Sequence, residues 1–227
     1  MVNQTLAQAA IRPRANPRAG RPPTGRRSEP LAEPGWTPAI ACILVYLFVV
    51  HSYRLPLGST AIVVGLVALA FEMRLPRIPT FLLWWGIYLL WALGTMSMGI
   101  APHVSWNRWL DFGKLWLIAF LVANAAQSEK QWRIILVGWL SMFALFPFRG
   151  TAMNFLAGIS HFGRYAWNYT FANPNDLAAI SLLILSLCMA FVRTPDRRWI
   201  RWSARAGATC IPLLIVVTGS RGGLLAM

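Results

Sequence analysis

The chain has 227 residues, 57% of them hydrophobic and only 12% charged, with twelve tryptophans and a mean hydropathy of +0.52. A charged share about half that of an ordinary soluble domain excludes a water-soluble globular fold. It predicts an all-α, polytopic transmembrane bundle, because lipid leaves backbone polar groups no partners outside helices. The net charge of +14 raises nucleic acid as a partner until the cations are mapped.

In chain order, residues 1–35 carry Arg12, Arg14, Arg18, Arg21, Arg26 and Arg27 among Pro13, Pro17, Pro22 and Pro23. Prolines at this density prevent a regular helix, so the segment reads as a disordered basic tail. It lacks the apolar run and cleavage site of a signal peptide. A cytoplasmic tail touching anionic lipid is favoured over RNA binding. Apolar runs then predict about seven spans, near 37–53, 59–71, 80–98, 106–126, 132–148, 176–192 and 206–218. The first turns of the fourth hold Arg108, Asp111 and Lys114, three residues apart and on nearby faces. Ionisable groups inside a span are costly. This trio reads as an ion-pair network that fixes helix packing, or as a site for a carrier phosphate. His51 is expected at the membrane interface, at the end of the first span. Cys42, Cys188 and Cys210 lie inside apolar runs without pairing or metal-ligand spacing, and read as small buried hydrophobes.

Orientation follows from the cations. With the tail in the cytoplasm and seven crossings, the inner side holds fifteen of the twenty-one lysines and arginines. Beyond the tail these are Arg74, Arg77, Lys130, Arg133, Arg193, Arg197, Arg198, Arg201 and Arg205. The positive-inside rule asks for this asymmetry, and it accounts for most of the charge without nucleic acid. The same topology puts two segments on the outer side: the long loop 149–175 and the turn at Ser220-Arg221-Gly222.

These two segments hold the candidate chemistry. In Thr218-Gly219-Ser220-Arg221-Gly222-Gly223-Leu224 one guanidinium sits between glycines at the end of an apolar run. Its planar fork grips two phosphate oxygens, and glycines let a ligand approach the backbone. A helix end with a snorkelling arginine explains the same residues without a ligand. The outer loop contains Tyr165, Trp167, Tyr169 and Phe171, suited to sugar stacking or to the headgroup level. Asn173-Pro174 is a turn signal, and Asn175 or Asp176 is a natural N-cap for the sixth span. Arg149, Arg164, His103 and His161 are further polar residues assigned to the outer side.

The pair Phe171-Ala172-Asn173-Pro174-Asn175-Asp176-Leu177-Ala178 and Thr218 to Ala226, in this order, resembles the bacterial O-antigen ligase and polymerase superfamily. The resemblance covers residues 37–227. It implies a GT-C-like bundle in the bacterial inner membrane, with its N-terminus in the cytoplasm. It implies transfer of a glycan from an undecaprenyl-diphosphate carrier to a polysaccharide, lipid or protein acceptor on the periplasmic side, with no metal or other cofactor. Arg221 would be the catalytic residue, steadying the departing diphosphate. Arg164, Asn173, Asn175, Asp176, Ser220 and Gly222 would bind substrate. Members of that superfamily carry a large periplasmic loop, with arginines and a histidine, beyond the Ser-Arg-Gly-Gly motif. This chain stops at Met227, so the expectation is the N-terminal part of a longer transferase. The competing expectation is a non-catalytic membrane protein, a transporter or a lipid-carrier-binding subunit.

Overall fold

The computed structural model describes residues 35–52, 57–72, 76–96, 102–160, 163–167, 171–194 and 198–227. The basic tail, His161 and the segment 168–170 with Tyr169 lie outside them. Helices dominate, and no strand occurs among the described residues. In order they are α1 (Pro38–Ser52), α2 (Gly58–Phe71), α3 (Thr80–Met96), α4 (Pro102–Ala125), α5 (Glu129–Leu156), α6 (Pro174–Arg193), α7 (Arg198–Thr218) and the short α8 (Arg221–Ala226). Three of them, α5, α6 and α7, are long and apolar enough to cross a membrane, while α1, α2 and α3 are apolar but shorter.

Local chemistry sets the helix starts. Thr37 Oγ1 accepts from the Ile40 N–H at 3.3 Å ahead of Pro38, whose missing N–H costs nothing in a first turn. At α5 Ser128 and Gln131 form a reciprocal capping box, which starts the helix three residues before the apolar run at Trp132. The helix α7 likewise begins at Arg198, inside the stretch read from sequence as a basic loop.

The largest departure lies at the far end of α5. The sequence reading ends this span at residue 148 and starts a loop at Arg149. The helix instead continues to Leu156 through a π turn at Ala144–Phe148 that contains Pro147. Proline cannot donate, and its ring crowds the carbonyl one turn back. A single wide turn lets the helix pass that position without ending. Two helical turns of the expected loop, Arg149–Leu156, are therefore rigid.

Packing divides along the chain. Ala39, Ile40, Ile43, Leu69, Leu121 and Ile135 join α1, α2, α4 and α5 in one core. Phe143, Leu177, Ile184, Cys188, Ile211 and Ile215 join α5, α6 and α7 in another. The helix α3 stands at the edge. It buries only Leu82 and Leu89 and leaves Phe81, Trp84, Leu90 and Trp91 more than half exposed, as a lipid-facing helix does. Two indoles on α4 fix it. Trp109 donates to the Leu89 carbonyl at 2.9 Å and Trp116 to the Leu82 carbonyl at 2.8 Å. Seven residues separate the donors and seven the acceptors, in opposite directions, so the two helices run antiparallel. Where lipid supplies no hydrophobic drive between helices, such bonds carry more of the specificity.

The charged trio on α4 is not an internal network. Lys114 and Asp111 pair at 3.3 Å, but both side chains are more than half exposed. Arg108 is exposed and belongs to no ion pair among the described residues. One buried polar residue of this half is Asn124. Its Oδ1 accepts from the Arg77 N–H at 2.6 Å, and its Nδ2 donates to the carbonyls of Arg77 and Phe120. It thereby ties the segment before α3 to the end of α4. An Asn124→Leu variant keeps the branching and the number of heavy atoms but orphans both backbone polar groups of Arg77. We expect a loss of about 2 kcal/mol or more, seen as a lowered midpoint for thermal unfolding in detergent.

Candidate functional site

The start of α6 and the end of α7 meet at one end of the bundle, and one side chain joins them. Arg164 Nε donates to the Thr218 carbonyl at 3.2 Å, and Arg164 Nη2 donates to Asn175 Oδ1 at 2.7 Å. The Thr218 carbonyl belongs to the last turn of α7, where helix geometry provides no partner of its own. Gly219 then turns the chain at φ +61°. The left-handed conformation is unstrained only for glycine; a Cβ there would touch the stem of Arg164 at ordinary contact distance, 3.4 Å.

The loop that presents Arg164 is docked on the rigid end of α5. Asn154 Nδ2 donates to the Ala166 carbonyl at 2.8 Å. The Trp167 ring lies on Gly150, where a Cβ would fall inside the indole. Tyr165 meets Phe155 edge to face with centroids 5.0 Å apart. Phe171 is buried against the core of α6 and α7 and lies 5.5 Å, centroid to centroid, from the His51 ring. Of the four aromatics suited by sequence to sugar stacking or to the headgroup level, the three described ones thus have internal partners.

His51 packs inside the protein at the end of α1. It is buried, and its Nδ1 lies 2.7 Å from the Leu47 carbonyl, which fixes the proton on that nitrogen. Its Nε2 has no partner among the described residues, and neither does the buried hydroxyl of Thr151.

The remaining expected residues divide by role. Asn173 is the N-cap of α6, its side chain accepting from the Asn175 N–H at 3.0 Å with Pro174 following. The cap therefore falls at Asn173, not at Asn175 or Asp176. Proline at the first helical position is pre-shaped for the helix and moves the boundary upstream. Ser220 is buried and caps α8, its Oγ accepting from the Gly223 N–H at 3.2 Å. Gly223 lets α8 lie on α6, since a Cβ there would stand 2.8 Å from Ala178 Cβ. Asp176, Arg221 and Gly222 are exposed at this end, and Gly222 faces open space. Arg221 makes no hydrogen bond or ion pair among the described residues. Arg149 and His103 are exposed. No group of three or more His, Cys, Asp or Glu lies together among the described residues.

Sequence reasoning missed Gly150 and Asn154. Nothing in a Gly or an Asn of an expected loop says that a ring or a carbonyl from further along the chain will land on it. No protein-family model, no curated protein and no solved structure matches this chain. The site's reading therefore rests on its own residues.

An Arg164→Met variant loses both bonds while keeping the aliphatic stem. Hydrogen exchange should rise at residues 163–167 and 219–220, by a factor matching roughly 1–2 kcal/mol for a partly exposed charged donor. Exchange at α2 and α4 should stay unchanged.

Proposed function

We propose that this chain forms the donor-binding part of a membrane glycan transferase of the O-antigen ligase type. It would use an undecaprenyl-diphosphate-linked glycan and serve a polysaccharide, lipid or protein acceptor. The observation that carries the reading is the Arg164 tie. The Asn-Pro-Asn-Asp segment and the Ser-Arg-Gly-Gly segment, distant in sequence, are held side by side, with the Arg221 guanidinium left uncommitted beside them.

In this reading Arg164 and Arg221 divide the work. Arg164 uses two of its five N–H donors to hold the scaffold, so it is a positioning residue first. Asn173 and Ser220 hold helix ends and shape the site without touching substrate. Arg221, with Gly222 open beside it, receives the diphosphate. As the bond from the anomeric carbon to the phosphate oxygen breaks, negative charge grows on that oxygen. A fork of N–H donors at that point lowers the barrier. The acceptor oxygen forms the new bond to the anomeric carbon, and its proton goes to a base that the described residues do not identify.

The finer topology belongs to the same proposal: seven crossings of a bacterial inner membrane, a GT-C-like arrangement, a cytoplasmic N-terminus and the site on the periplasmic side. It is supported by the placement of the cations and by the apolar helices α1 to α3 and α5 to α7.

The test uses the longest open reading frame containing this chain, in vesicles with a polyprenyl-diphosphate-linked glycan. Arg221→Ala should lower the turnover rate by roughly 10²–10³, the worth of one preorganised donor to a developing anion. Arg221→Lys should recover only part of it, since an ammonium lacks the fork. Unchanged transfer in Arg221→Ala would remove that residue from the mechanism. Binding of the carrier without turnover in the wild type would replace the transferase with a carrier-binding subunit.

A further inference from the structure

A second charged surface, on α7 away from Arg164 and Arg221, is not used by the transferase reading. Arg198, Arg201 and Arg205 occupy the first two turns of α7 at spacings of three and four, which puts them on one face. The buried Ile200, Ala204, Ile211 and Ile215 lie on a different face; Arg198 and Arg205 are exposed, and Arg201 is half-buried. The Arg205 guanidinium stacks over the Trp202 ring, 5.1 Å from its centroid. Stacking orders the side chain and leaves the N–H edge free to donate. None of the three arginines pairs with a carboxylate among the described residues, and α7 has no acidic residue. Asp196, just before the helix, lies outside the described residues.

The chemistry changes further along the same face. Leu213 and Val216 are exposed and uncharged. At ~1.5 Å per residue, Val216 stands roughly 16 Å beyond Arg205. That is about half of a ~30 Å hydrocarbon core, the depth of one leaflet. One strip of α7 thus offers three guanidiniums with an aromatic among them, then an apolar track of acyl-chain length. Lone cations for solubility would not need the aromatic stack or the apolar continuation. Nucleic acid would not use the track.

We propose that this strip binds an anionic phospholipid, its phosphate held by Arg198, Arg201 and Arg205 and its chains lying along Leu213 and Val216. The site depends only on α7 entering a membrane, so it stands or falls separately from the transferase reading.

The experiment reconstitutes the full chain in phosphatidylcholine vesicles. These carry a small fraction of photoactivatable phosphatidylglycerol or, in the parallel arm, photoactivatable phosphatidylcholine. Cross-links are mapped by mass spectrometry. The anionic probe should concentrate on the peptide spanning residues 198–216, over the neutral probe by at least ~10-fold, since each arginine near an anionic surface is worth a factor of roughly five. The triple variant R198Q/R201Q/R205Q should lose most of that preference, and R198K/R201K/R205K should keep much of it. If the glutamine variant does not fold, wild type decides by salt: the preference must fall as ionic strength rises. Equal labelling by both probes overturns the proposal, as does labelling spread evenly over all helices. Inorganic phosphate, or an RNA oligonucleotide, that displaces the lipid probe at matched phosphate concentration would assign the arginines to a soluble ligand instead, and also overturns it.

Discussion

One guanidinium decides how the two ends of the α6–α7 pair face each other. Apolar helices in lipid pack by shape, and shape alone leaves sliding and rotation weakly specified. Arg164 removes that freedom with two directional bonds, one to the last turn of α7 and one to the first turn of α6. The first bond also satisfies a carbonyl that the helix end leaves open. The turn beyond that carbonyl favours a glycine at Gly219, because its backbone is left-handed. The position of Arg221 follows from this turn, from the Ser220 cap and from the contact of Gly223 with α6.

The tie depends in turn on a platform that a proline should have destroyed. Without the π turn at Ala144–Phe148, α5 would stop near Pro147, and residues 149–156 would form no surface for the loop. With it, Gly150 takes the Trp167 ring, Asn154 takes the Ala166 carbonyl, and Phe155 meets Tyr165. Arg164 is therefore presented by a loop anchored on α5 through the three residues that follow it. Stability and function meet here, since residues that resemble carbohydrate-stacking aromatics are occupied in building the site.

The other half of the bundle solves the same problem by different means. Trp109 and Trp116 bond α4 to α3, and Asn124 bonds the end of α4 to the segment before α3. Each donor is buried or half-buried against an apolar helix, where an unpaired polar group is expensive. Polar bonds thus set the alignment of the helices, and apolar packing fills the space between them.

Much of this was legible in the sequence. Hydropathy gives helices and a membrane class, because an apolar run of this length has few other ways to satisfy its backbone. The turn signals place Asn173-Pro174 and Ser220-Arg221-Gly222 at helix ends. Assignments that needed a neighbour were not legible. The cap moved to Asn173, the fifth helix ran through Pro147, His51 went inside, and Asp111 and Lys114 stayed on the surface. Sequence determines which residues can cap, bond or break a helix, since those are local properties of one or a few residues. Only the tertiary structure decided that Arg164 spends two donors on Thr218 and Asn175 while the Arg221 guanidinium has no hydrogen-bond partner among the described residues. The difference between a scaffold arginine and an available one lies in which distant groups come within hydrogen-bond distance, and no spacing along the chain encodes that.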